Sequence, residues 1–195
     1  MPGIDLYWIP LGVDGNRVVR ASGRLYEALV ARRGHRSARP LFHSALMIDL
    51  GPGERWAIEM APAWSTSARE RGVVAEGAVG LPWLGRSRLF RYEIRCWRNG
   101  WIPDLGAAVG KPAHFVVTTA QARALLDRAT RFPTLTWGLD ELGAGDMWNS
   151  NSLVSWLLAS SGLPVESLRP PDGGRAPGWQ AGLVAAHHGP EPFAA

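Results

Sequence analysis

A serine between two asparagines at the start of an amphipathic run is an arrangement that can present a nucleophile. This chain has one in residues 145–158, GDMWNSNSLVSWLL. Read as a helix, the run sets Met147, Ser150, Val154, Leu157 and Ser161 on one stripe, so Ser150 faces the protein. The unpaired N–H groups of a first helical turn favour developing negative charge, which a hydroxyl attacking a carbonyl creates. Asp146 and Asn149 are both suitable caps; only if Asn149 is the cap does Ser150 become the first helical residue.

The elements around this stretch follow from periodicity and punctuation. Residues 41–50, LFHSALMIDL, and residues 54–61, ERWAIEMA, flank Gly51-Pro52-Gly53 and read as a β-hairpin, with His43 opening one strand and Glu59 closing the other. Side chains alternate faces with period two. A three-residue loop that pairs Leu50 with Glu54 therefore sets Ala45 opposite Glu59 and puts His43 on their face; a two- or four-residue loop turns Glu59 away.

Residues 4–11 read as a short strand with a turn at 13–16, residues 22–33 as a helix capped by Ser22 and stopped by Gly34, and residues 73–79 as another strand. Residues 88–97, RLFRYEIRCW, alternate as a half-buried strand that holds the single cysteine, Cys96, in the core. Thr118 or Thr119 caps a helix to about residue 131 that covers a sheet face, and the helix carrying Ser150 ends near Gly162 and Pro164. Residues 1–168 read as one domain. Residues 169–195 read as a loop-rich extension and tail, with at most a short strand at 182–186. The fold class expected is α+β, an antiparallel sheet with helices packed on it.

With 195 residues, 46% of them hydrophobic, the chain can bury one sizeable core. The net charge of +4 comes from 20 arginines and Lys111 dispersed among acids, so nucleic acid is not indicated as a partner. Most of the ten tryptophans read as core residues, and Trp148 as a lining residue of a cleft beside Ser150. One cysteine rules out an internal disulfide and a thiolate metal cluster, and fits a reducing cytoplasm. His35, His187 and His188 lack acids or thiols at ligand spacing, and neither glycine pair sits in a phosphate-loop context, so no metal or nucleotide cofactor is expected. No stretch approaches the length of a membrane span, no secretory leader is evident, and the Arg, Ala, Gly and Pro bias is of the kind found in GC-rich bacterial genomes.

His43-Ser44-Ala45-Leu46 and Asn149-Ser150-Asn151-Ser152 together resemble the histidine strand and nucleophile helix of circularly permuted papain-like proteins, the NlpC-like, PPPDE and lecithin:retinol acyltransferase groups. The resemblance covers roughly residues 41–162, and Ser150 stands where the family has cysteine. It implies a permuted papain-like layout with His43 facing the start of the Ser150 helix, and a cleft contributed by Trp148, Asn149 and Asn151. A serine hydroxyl ionises far less readily than a thiol, so the expected function is an inactive or weak cleft that binds a peptide or small ligand. The alternative is a serine-dependent hydrolase or acyltransferase in which Ser150 attacks an amide or ester, His43 takes the proton and Glu59 orients His43. Plainer roles are open to the same residues: His43 as a hydrogen-bonded strand-end histidine, Glu59 as the partner of an arginine, Asp146 and Asn149 as caps.

Overall fold

The glycine-proline-glycine turn sets the register of the sheet. Leu50 N–H donates to Glu54 C=O at 2.9 Å and Glu54 N–H to Gly51 C=O at 3.1 Å, closing a three-residue turn. Gly51 and Gly53 adopt φ of 131° and 76°, which a residue with a Cβ resists. The computed structural model describes residues 1–13, 26–64 and 72–188. Around this hairpin it builds one antiparallel sheet of β1 (Gly3–Pro10), β2 (Phe42–Asp49), β3 (Arg55–Pro62), β4 (Val73–Ala78), β5 (Arg91–Arg98) and β6 (Ala113–Val116), in the order β4-β5-β3-β2-β1-β6. Packed on it are α1 (Thr119–Ala129), α2 (Ser150–Ser160), α3 (Trp179–His187) and the helical residues 26–33. The α+β architecture is the one expected. The turn at 13–16 and the Ser22 cap fall largely or wholly outside the described residues.

The sheet is covered on both faces. Ile4, Leu6, Leu46, Ile48, Ile58, Tyr92 and Ile94 point towards the helices and join Leu125 of α1 and Leu153 and Leu157 of α2 in the main core. The alternate residues Ile9, Ala45, Met47 and Ala57 form a smaller core on the other face, closed by Ile102 and, at its margin, by Leu105 and Ala108 from the segment after β5. The strand at 88–97 therefore departs from a half-buried one. It begins as a tight turn at Arg88–Phe90, and its polar stripe is buried too: Glu93 and Arg95 are 4% and 3% exposed. Arg95 makes this tolerable, since its Nε donates to Glu93 at 3.0 Å, its Nη1 to Glu59 at 2.9 Å and its Nη2 to Pro62 C=O at 3.3 Å.

The strands β2 and β3 part company halfway. They pair from Asp49↔Arg55 to Leu46↔Ile58 and no further. Beyond that, β2 continues to Phe42 on β1 alone and β3 continues to Pro62 on β5 alone. The gap between them is the place where α2 enters.

The short strand expected at 182–186 is instead part of α3, and its surroundings explain why. Trp179, Ala181 and Ala185 are buried in the main core, and Ser152 and Ser155 of α2 donate to the carbonyls of Gly178 and Trp179, both at 2.8 Å. Gly182 lies against Ser152 and Ser155, where a Cβ would overlap both residues. Glycine lowers helix propensity, yet here it lets two helices approach. Replacing Gly182 with alanine should therefore destabilise the protein by about 1–3 kcal/mol in a urea melt, although in an open helix the same change gains about 1 kcal/mol.

Candidate functional site

The cap at the start of α2 is Asn149. It is extended, at φ −167°, its Oδ1 accepts from Asn151 N–H at 2.9 Å, and its own N–H donates to Ser152 Oγ at 3.0 Å. Ser150 is thus the first helical residue. Asp146 serves the next helix instead: its carboxylate accepts from Gly178 N–H at 2.7 Å and Gln180 N–H at 3.2 Å at the start of α3, and also from Met147 N–H at 3.0 Å. Burial pushes its pKa up, against the pull of those three donors.

Asn151 fixes α2 in the gap. Its Nδ2 donates to Phe42 C=O at 3.0 Å and to Pro177 C=O at 2.7 Å, and its Oδ1 accepts from Ser44 Oγ at 2.8 Å. Those contacts fall on the two neighbours of His43, so the residue next to Ser150 grips the strand on either side of the histidine. Asn149 Nδ2 also donates to Pro177 C=O at 2.8 Å. Three members of Asn149-Ser150-Asn151-Ser152 are thereby committed to holding the helix start. Ser150 differs, because among the described residues neither its N–H nor its Oγ makes a hydrogen bond, although the residue is only 7% exposed.

His43 turns to the face opposite Ser44, into the smaller-core side of the sheet. Its Nε2 lies 2.7 Å from Asp104 Oδ2, with the side chains 22% and 14% exposed, and among the described residues Nδ1 has no hydrogen-bond partner. Asp104 sits just before the tight turn Leu105–Ala107. Leu105 packs on the smaller core beside Ile102, and Val109 N–H donates to Trp8 C=O at 2.9 Å, which together fix the loop. Burial raises the pKa of Asp104, but the hydrogen bond from His43, the charge of His43 and Asp104's own N–H outweigh it and leave the pKa below the ordinary carboxylate value.

Glu59 shares the face of His43, as a three-residue turn requires, but its carboxylate is held by Arg95. Burial raises its pKa above the ordinary value despite that arginine. The structure therefore joins His43 to Asp104, Glu59 to Arg95, and Asn151 to the strand around His43. No hydrogen bond joins Ser150 to His43 or His43 to Glu59 among the described residues. Trp148, expected to line a cleft, is 1% exposed and stacks on Phe132 with centroids 4.8 Å apart, so it is a core residue. Asn149 and Asn151, expected to contact a ligand, spend their side chains on backbone and on Ser44. Asp104 went unremarked in the sequence because nothing in Trp101-Ile102-Pro103-Asp104-Leu105 repeats or alternates; its one signal is an acid held between two apolar residues in a loop.

No group of three or more His, Cys, Asp or Glu suited to a metal occurs among the described residues. None of the helices among them is long and apolar enough to cross a membrane. Comparison with protein-family models, with curated proteins and with solved structures finds no match for this chain.

Two outcomes follow from this geometry. Asn151→Asp keeps the acceptor for Ser44 but sets a carboxylate against two carbonyl oxygens; it should lower stability by roughly 2–5 kcal/mol in a urea melt. Asp104 has a lowered folded-state pKa, so its contribution to stability is complete above the ordinary carboxylate range and fades as pH falls through that lowered pKa. The difference in urea midpoint between the native protein and Asp104→Asn should accordingly hold constant at neutral pH and shrink on strong acidification.

Proposed function

We propose that this chain is a serine-dependent acyl hydrolase or acyltransferase of permuted papain-like layout, acting on an amide or ester through Ser150, His43 and Asp104. The observation that carries the reading is the His43–Asp104 pair. It fixes the imidazole through Nε2, leaves Nδ1 without a partner, and stands on the strand that Asn151 clamps beside Ser150. An aspartate behind the histidine suits a hydroxyl nucleophile in particular, since a full negative charge stabilises the imidazolium that forms when the histidine takes the serine proton.

The chemistry balances with water as co-reactant. Ser150 Oγ attacks the carbonyl carbon as its proton passes to His43 Nδ1, and the carbonyl oxygen becomes an oxyanion. Ser150 N–H, the unclaimed donor at the α2 terminus, is positioned to receive it. His43 then protonates the leaving group, and water, deprotonated by His43 in turn, releases the acyl group and regenerates Ser150. Because Ser150 and His43 are not hydrogen-bonded in the free protein, substrate binding has to close that contact. Glu59 has no part in the sequence of steps.

A second reading, that the cleft only binds a peptide or small ligand, is favoured by the same low exposure of Ser150 and its separation from His43. The two part on one set of measurements. For catalysis, a panel of activated esters and amides should show turnover that Ser150→Ala abolishes and that Asp104→Asn lowers by about 10⁴-fold in kcat, the order seen when a triad acid is neutralised, while Glu59→Gln leaves kcat unchanged. Binding of the same compounds without Ser150-dependent turnover assigns the cleft to binding. A Ser150→Cys variant tests the shared premise: its thiol should alkylate faster at neutral pH than a free cysteine, through the helix terminus and His43. Cys96 will not obscure the measurement, because burial pushes its thiol up to about 11.

A further inference from the structure

The connection between β4 and β5 exposes apolar side chains that a water-facing turn has no use for. Leu81, Trp83, Leu89 and Phe90 are 45%, 66%, 68% and 42% exposed within ten residues. The segment is built rather than loose. Two successive tight turns, Pro82–Arg86 and Arg88–Phe90, are closed by Leu84 N–H to Leu81 C=O at 3.0 Å and Phe90 N–H to Ser87 C=O at 2.9 Å, and Gly80 N–H anchors them to Trp137 C=O at 2.9 Å. Arg88 Nη2 reaches Ala63 C=O at 3.2 Å, which brings the half-exposed Trp64 beside the same surface. Grouped exposure of this kind marks an interaction surface, whereas scattered apolar residues do not.

Charge decides the partner. Residues 77–92 contain Arg86, Arg88 and Arg91 and no acid; Arg91 is answered by Glu76 at 3.0 Å, and Arg86 and Arg88 are exposed. A second copy on a two-fold axis would set this cationic patch against itself. A nucleic acid would find phosphate partners, but Leu81 and Leu89 neither stack on bases nor hydrogen-bond to them. Leucine and phenylalanine at the acyl boundary, tryptophan at the headgroup level and arginine on phosphate is the pattern of an interfacial anchor.

We propose that the β4–β5 connection docks this protein on an anionic lipid bilayer. Surface docking needs no spanning helix. By register, the connection lies at the end of the sheet where β2 and β3 have separated, so a docked molecule would turn the gap beside His43 towards the bilayer. The inference stands whether Ser150 is a nucleophile or not.

The test is co-sedimentation of the full chain with phosphatidylcholine vesicles, with and without phosphatidylserine. Binding should require phosphatidylserine and weaken with salt. Trp83→Ser combined with Leu89→Ser should lower partitioning on the order of tenfold, and Arg86→Ala by about fivefold, with the urea midpoint unchanged because these side chains pack on little. No sedimentation with phosphatidylserine vesicles overturns the proposal. So does sedimentation that the double substitution leaves intact, or a concentration-dependent dimer or nucleic-acid complex that the double substitution abolishes in the absence of any vesicle binding.

Discussion

The structure depends on how the open edge left by β3 is satisfied. Where β3 leaves, β2 would expose unpaired backbone groups beside the core, and a buried N–H or C=O without a partner costs about as much as a lost hydrogen bond. Two unrelated segments supply the partners: Phe42 N–H donates to Arg175 C=O at 2.8 Å, and Phe42 C=O accepts from Asn151. The first turn of α2 and the approach to α3 are therefore both parts of the sheet's own hydrogen bonding. Pro177 C=O, shared by Asn149 and Asn151, ties those two segments to each other. Asp146 at the start of α3 completes the lock, so the gap, the helix start and the C-terminal helix stand or fall together.

The two faces of the sheet divide the work. The helix face is largely apolar, and the buried hydroxyl of Ser44 on it is matched by Asn151. The other face carries charge: Glu59, Glu93 and Arg95 under one part of it, His43 and Asp104 under another. Carboxylates are costly to bury, which is visible in the raised pKa of Glu59 even with Arg95 upon it. Asp104 goes the other way because its partner is close and its backbone N–H adds to the pull. Of the acids named on that face, Asp104 is the one bonded to His43, which is what equips it to hold an imidazolium.

What was legible in the sequence were the features governed by local rules. Gly51-Pro52-Gly53 marks the turn of a hairpin, and once the structure sets that turn at three residues the parity placing Ala45, Glu59 and His43 on one face follows. Thr118 and Gln121 form the cap and its reciprocal bond, so α1 follows from a four-residue pattern. What was not legible depended on partners distant in the chain. The helix α3 contains Gly182 and follows a glycine- and proline-rich stretch, and only its fit against Ser152 and Ser155 makes it a helix. At four residues, β6 is too short to show a period, and only its pairing with β1 defines it. Trp148 adjoins the serine motif, but an indole needs more room than a cleft rim gives, and Phe132 provides it in the core. Asp104 could be assigned only once the loop was seen to fold over His43.

The assignment of Ser150 rests on a contrast among neighbours of similar chemistry. Asn149, Asn151 and Ser152 are all buried and polar, and each is explained by the helix start it builds. Ser155, one turn on, is explained by Trp179 C=O. A serine at position 150 has no such structural employment, since its hydroxyl bonds nothing among the described residues and an alanine would fill the same space without a polar group to satisfy. A polar side chain that the fold does not employ, at a helix terminus, is the feature on which the proposed role of Ser150 in a reacting centre rests. The geometry that holds Asn151 on both sides of His43 also explains how such a centre keeps its shape. The clamp that closes the sheet is the same one that fixes the start of α2 on the histidine strand, so the stability of the sheet edge and the placement of Ser150 depend on one side chain.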